Sequence, residues 1–304
     1  MDLEYFAELF LGGLTRGSIY ALIALGYTMV YGIVQLINFA HGEIYMIGAF
    51  TALIIASVLN MEFGWTHAGS LFLLASLAAI IYACCYAWTM EKIAYKPLRK
   101  APRLSVLISA IGMSLFLQNY VLLAQTSDFL PFPKLVPDWE FWEPYAHIIS
   151  APEIMILLVT AIVMILLTFL IKFTRIGKAM RATAQDRSMA MLVGVDVDQV
   201  ISVTFIIGSA TAAIGGVLIA SHIGQINFYI GFLAGIKAFV AAVLGGIGSI
   251  PGAVLGSLVL GWTESFFTGY ISSDYEDVFA FVFLVCILIF RPSGLLGRPE
   301  TQKV

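Results

Sequence analysis

Long apolar runs alternate with short polar or glycine-rich stretches along most of the chain, and the runs are far too long for strands. Near residues 10–36, 43–60, 68–91, 104–125, 153–172, 199–222, 232–248, 253–270 and 277–291 the sequence stays apolar. Most of these runs reach the length of about 20 residues that a helix needs to cross a hydrocarbon core of roughly 30 Å. Nine membrane-spanning helices are therefore expected. The seventh and eighth are short and Gly-rich enough to be broken or re-entrant. The predicted fold is an all-α polytopic membrane protein, a single transmembrane domain over residues 1–304.

One interruption stands out. Lys172–Gln199 is a charged, helix-capable stretch of 28 residues between two apolar runs, where a turn of about four would reverse the chain. Thr183-x-x-Asp186 resembles a capping box ahead of Met189–Val193, Gly194 is a natural stop, and Asp198 can cap the next span. The pattern predicts one helix of about ten residues, near 15 Å long. Its charges flank a Met189-Ala190-Met191-Leu192 ridge that a partner groove could grip. An amphipathic helix lying on the lipid surface is the competing reading.

Basic residues set the expected sidedness. Apart from Arg16, Lys134 and Lys237, every Lys and Arg falls in the 92–103 loop, in the 172–198 insert or at 291–303. The positive-inside rule places those three segments in the cytoplasm, with the N-terminus outside and the C-terminus inside. On the opposite face, residues 126–153 carry Pro131, Pro133, Pro137, Pro144 and Pro152 with Trp139 and Trp142. That composition suits a stiff interfacial belt or a docking surface for an external solute-binding protein.

Composition agrees: 60% of residues are hydrophobic and 12% charged, with a mean hydropathy of +0.94. The net charge of −3 says little beside the placement of the charges. Cys84, Cys85 and Cys286 all sit in apolar runs, which disfavours a disulfide framework or a metal site. The acidic opening MDLEYFAELF does not look like a cleaved signal peptide. Neither a cofactor nor a nucleic-acid partner is expected.

An internal repeat is visible. Asn38-Phe39-x-x-Gly42-x-x-x-x-Ile47-x-Ala49-Phe50 recurs 189 residues later as Asn227-Phe228-x-x-Gly231-x-x-x-x-Ile236-x-Ala238-Phe239. The register extends upstream through Gly26/Gly215, Ala24/Ala213 and Ala21/Ala210. Five spans separate the copies, so the halves (about 10–172 and 199–291) are expected to be inverted, as in transporters built around a central path. A duplication that now serves only packing is the alternative.

Polar residues at membrane depth are candidates for lining such a path. Ser105, Ser109, Gly112 and Asn119 share one stripe of the fourth span, with Gln118 adjacent. Small residues on a stripe also suit close helix packing. Lys237 is the one basic residue well inside an apolar region, although its stem could snorkel outward. His41 and Glu43, beside Asn38, could relay protons or simply hydrogen-bond a turn. Asn38, His41, Glu43, Gln118, Asn119, Asn227 and Lys237 are thus the path candidates. Leu244–Gly252 is glycine-rich but lacks the lysine of a phosphate-binding loop, and no HExxH, GxSxG or paired catalytic carboxylates occur. Catalysis is not expected of this chain.

Several stretches carry a resemblance: GSIYALIALGYTMVYGIVQLINFAHGEIYMIGAF, SVLISAIGMSLFLQNY, GKAMRATAQDRSMAMLVGV, GFLAGIKAFVAAVLGGIGSIPGAVLG and RPSGLLGRPE. Over essentially its whole length the chain resembles the membrane permeases of bacterial branched-chain amino acid ABC importers, in particular the smaller permeases of high-affinity leucine/isoleucine/valine systems. The resemblance implies an inner-membrane complex of two related permeases, two cytoplasmic ATP-binding subunits and a periplasmic solute-binding protein. It also implies that Ala184–Gly194 is the coupling segment. Ala184-Gln185-Asp186 stands where other importers carry Glu-Ala-Ala, with Met189, Leu192 and Gly194 following. Permeases for urea or short amides share the motifs. An ion-coupled carrier using His41, Glu43 or Lys237, and a non-transporting scaffold, are the rival classes.

Overall fold

Inside a bilayer no water is available to peptide N–H and C=O groups, so an apolar segment must bond its own backbone, and a helix does this alone. In the computed structural model each expected span contains a helix. The structure describes residues 3–35, 38–65, 67–99, 101–136, 148–291 and 293–297. The helices are α1 (Leu3–Val34), α2 (His41–Phe63), α3 (Ala68–Met90), α4 (Arg103–Ala124), α5 (Ala151–Phe173), α6 (Arg175–Gln185), α7 (Arg187–Leu192), α8 (Val197–Ile223), α9 (Ile230–Gly245), α10 (Ile250–Tyr270) and α11 (Glu276–Phe290). A π-helical turn, Glu91–Tyr95, extends α3. Two short strands, β1 (Leu130–Pro131) and β2 (Gln225–Ile226), pair antiparallel.

Among the described residues seven helices are long and apolar enough to cross a membrane. The protein is an all-α multi-pass membrane protein. Helix α10 is continuous over 21 residues, whereas α9 has 16 and α11 has 15. At 1.5 Å per residue these last two are about 24 and 22 Å long, short of a full core.

High hydropathy does not bring a helix into the interior. Helix α1 is mostly buried, while the more apolar α5 is mostly exposed. Lipid is as apolar as leucine, so the greasiest helix gains nothing by packing inside. Helices instead meet where small residues let backbones approach. The α1–α10 contact is made this way: a Cβ on Gly13 would lie 2.9 Å from Trp262 Cα, and one on Gly17 2.8 Å from Leu258 Cα. Helix α8 runs antiparallel to α1, with Gly208 against Gly26 and Gly215 against Leu22.

The basic loops gather at one end of the bundle. There Arg99 reaches Asp198, Arg187 reaches the Ile33 carbonyl, and the Leu295 N–H donates to the Leu244 carbonyl at 2.8 Å. The other end holds the β1–β2 pair and the Arg16–Glu276 ion pair, and there Tyr5 donates to the Gly269 carbonyl at 2.8 Å. The tryptophans expected to face an external partner, Trp139 and Trp142, lie outside the described residues, as do Arg298 and Lys303 of the tail.

Candidate functional site

The 172–199 insert forms two helices rather than one. Thr174 caps α6, accepting from the Gly177 N–H at 3.0 Å, and Arg181 donates back to the Ile171 carbonyl, which fixes α6 against the end of α5. The expected cap at Thr183 does not form. Thr183 lies inside α6, buried, its hydroxyl donating to the Ala179 carbonyl at 2.9 Å. Asp186 breaks the helix in extended backbone (φ −158°, ψ 113°) and caps α7, accepting from Ser188 and Met189 N–H at 2.8 and 3.0 Å. A carboxylate answers two orphan donors at once, which a threonine followed by alanine and glutamine cannot match. Gly194 terminates the segment in left-handed backbone, φ 84°. Asp196, not Asp198, caps α8, accepting from the Gln199 N–H at 3.0 Å.

Helix α7 turns Ala190 inward and leaves Met189, Met191, Leu192 and Val193 exposed; Leu192 is 79% exposed. Ala184 and Gln185 close α6 beside it. Arg187 ties this helix to the bundle: its Nε and Nη2 donate to the Ile33 carbonyl oxygen at 3.1 and 2.7 Å. Ile33 lies in the last turn of α1, where carbonyls lack helical partners. Burial, and then repulsion from Arg99, hold the Arg187 guanidinium below its ordinary pKa.

A cluster beside it was missed by sequence reasoning. Glu91 is fully buried and receives Arg99, the Ser202 hydroxyl at 2.8 Å and, at 3.6 Å, Lys92. Asp198 receives Lys96 at 2.9 Å and Arg99 as well. Arg99 therefore bridges the π-turn after α3 to the start of α8. The cations at 92–103 speak first to sidedness, yet Glu91 at the end of an apolar run signals that they have a buried partner.

The path candidates separate into three groups. Asn38, His41, Glu43 and Gln118 are buried in the centre. Tyr95 donates to Asn38 Oδ1 at 2.5 Å, and Ser114 donates to Glu43 Oε1 at 2.9 Å. The His41 ring stands edge-on to Tyr27, centroids 5.0 Å apart. Asn38 Nδ2, His41 Nε2, Glu43 Oε2 and Gln118 Nε2 have no hydrogen-bond partner among the described residues. Asn119 points the other way, exposed, its amide donating to the Leu115 carbonyl at 2.8 Å. Gly112 on the same stripe meets nothing within 4 Å, whereas Ser109 reaches the Ala94 carbonyl of the π-turn at 3.5 Å, so the stripe packs within this chain only at its Ser109 end.

Asn227 and Lys237 form the third group, at the end opposite the basic loops. They border a cavity of about 370 Å³ between α1, α8, α9 and α11. Lys237 does not snorkel alone: its Nζ lies 2.6 Å from Glu276, 2.8 Å from Asp277 and 3.5 Å from Glu264. Arg16 joins Glu276 at 3.1 Å, and Tyr20 donates to Glu264 at 2.7 Å. Arg16 also borders a second cavity of about 340 Å³ that includes Glu8, Glu153 and His222.

Residues 9–288 match the family model described as branched-chain amino acid transport system / permease component. The chain is 48% identical over 306 residues to the high-affinity branched-chain amino acid transport system permease protein LivH of Escherichia coli strain K12, covering 99% of this chain and 98% of that one. It is 49% identical over 306 residues to the corresponding protein BraD of Pseudomonas aeruginosa, covering 100% and 99%. A probable branched-chain amino acid transport permease protein LivH of Methanocaldococcus jannaschii is 26% identical over 304 residues, covering 94% and 91%. The chain belongs to the family of permease components of branched-chain amino acid transport systems.

Proposed function

We propose that this chain is a membrane-crossing subunit of an ATP-driven importer for branched-chain amino acids, working by alternating access. Its partners are a second, related permease, two cytoplasmic ATP-binding subunits and a periplasmic solute-binding protein. The complex sits in a bacterial inner membrane, with the basic end of the bundle and the C-terminus in the cytoplasm. The chain has no nucleotide-binding motif, so hydrolysis belongs to the partners. The cargo class follows the relatives in E. coli and P. aeruginosa.

One observation carries this reading: α7 presents Met189, Met191 and Leu192 to the outside at the basic end while Arg187 anchors it to α1. An exposed apolar ridge on a braced helix suits insertion into a partner's groove. ATP-driven closure of the partner pair would displace α7. The motion then passes through α6 to α5, through the Gly194–Asp196 turn to α8, and through Arg187 to α1. An inverted pair of halves, joined at the two Asn-Phe-x-x-Gly turns, gives such motion two alternating openings.

The test replaces Met189 and Leu192 by Glu in the assembled importer. ATP hydrolysis stimulated by the loaded binding protein should fall at least tenfold, about 1.4 kcal/mol of coupling, while the complex still purifies intact. Unchanged stimulation counts against a coupling role for α7.

A further inference from the structure

The cavity beside Lys237 combines features that a metabolite of one chemical class would need together. Its rim carries cations and an anion: Arg16, Lys237 and Asp277. Its wall carries Ile19, Ile219, Ile230 and Leu233. At about 370 Å³ it falls within the roughly 300–1,000 Å³ usual for small-molecule sites. We propose that this cavity is a cargo subsite for the zwitterion of an aliphatic amino acid, with its carboxylate on Arg16, its ammonium on Asp277 and its side chain on the isoleucine–leucine wall. The inference rests on the importer reading above and deepens it.

The charges are placed to serve such a head group. Arg16 reaches Glu276 through Nη1 alone, and a guanidinium carries five N–H donors in a planar fork suited to a carboxylate. Its side chain is 40% exposed, so those donors can be approached. Asp277 is 55% exposed and receives Lys237 on Oδ1. Lys237, only 15% exposed and held by three carboxylates, fixes the acidic side chains in place and keeps the rim near electrical balance. Glu264 lies behind it, fully buried and held by Tyr20. A zwitterion replaces part of an existing set of ion pairs, so neither of its charges is left unpaired in a half-dry site. The aliphatic wall then favours a branched side chain over a methyl group, since one missing methylene weakens binding roughly tenfold or more.

The alkylation assay uses the assembled importer in proteoliposomes without the binding protein, and uptake is measured with the binding protein restored. Cys84, Cys85 and Cys286 are first replaced by serine, and Leu233→Cys is introduced as the reporter, with N-ethylmaleimide as the probe. At leucine roughly four times its Kd, one site in five stays free, so alkylation slows about fivefold. Alanine and lysine at the same concentration leave the rate unchanged. A second variant, Leu233→Trp, fills the wall and raises the KM for leucine uptake about tenfold. Equal alkylation with and without leucine, in a complex that imports leucine, overturns the subsite. A complex that imports no leucine overturns the cargo reading instead, and alkylation then still reports on whether the cavity holds an aliphatic zwitterion. If Leu233→Trp does not assemble, the alkylation result alone decides.

Discussion

Gly42 of α2 and Gly231 of α9 lie backbone to backbone. A Cβ built on Gly231 would stand 2.6 Å from the Gly42 carbonyl oxygen, and one built on Gly42 would meet the Gly231 carbonyl in return. These two glycines hold the same place in the two Asn-Phe-x-x-Gly segments. The turns before them also match: Asn38 Oδ1 accepts from the N–H two residues on at 3.1 Å, and so does Asn227 Oδ1. A reciprocal contact between equivalent positions is what a local two-fold axis produces. In the inverted pair of halves proposed above, this is where the two copies would meet.

Gly42→Ala and Gly231→Ala should each force α2 and α9 apart. Overpacking of this kind costs about 1–3 kcal/mol. Gly112→Ala, on the open face of α4, meets nothing within 4 Å and is expected to be neutral to about 0.5 kcal/mol. Thermal unfolding of the purified complex in detergent measures all three, and a Gly112 variant as damaging as the other two would contradict the contact.

Arg187→Ala removes two hydrogen bonds from a charged donor, each worth about 1.5–3 kcal/mol to a buried acceptor. Ile33 then has no grip on α7, so stimulation of ATP hydrolysis by loaded binding protein should drop while basal hydrolysis by the ATP-binding subunits persists. Arg187→Lys should restore little, because an ammonium cannot supply the two parallel N–H groups of a guanidinium edge. Uptake measured against ATP consumed gives the ratio that decides it. A full rescue by lysine would reduce Arg187 to a simple point charge.

What the residue pattern revealed and what it hid follow from sequence distance. The helices were legible because apolar length is a local property, and Gly194 was legible as a stop because left-handed backbone favours glycine. The insert's two-helix form was less so: Thr183 and Asp186 both suit a cap, and only the backbone break at Asp186 selects between them. Lys237 was visible as an oddity, but its partners come from α10 and α11, far along the chain. The same holds for Glu43 and Ser114, and for Arg187 and Ile33. The stripe through Ser105, Gly112 and Asn119 showed its helical spacing but not its direction. In a membrane, a small-residue face can point at a neighbour, at lipid or at another subunit.

Arg99 supplies the sharpest energetic contrast. Its guanidinium faces Glu91, which is fully buried, and Asp198, which is 51% exposed. Among the described residues, Arg99→Ala leaves Glu91 with only Ser202 and the more distant Lys92, so an under-compensated buried carboxylate remains, at a cost of about 3–5 kcal/mol. Asp198→Asn, by contrast, weakens an exposed pair worth about 1 kcal/mol or less. If burial sets the difference, Arg99→Met combined with Glu91→Met should recover much of the loss, because no charge is then stranded. Denaturation midpoints of the three variants in one detergent provide the comparison. Equal destabilisation by Arg99→Ala and Asp198→Asn, or no recovery in the double variant, would show that Glu91 keeps its charge compensated without Arg99.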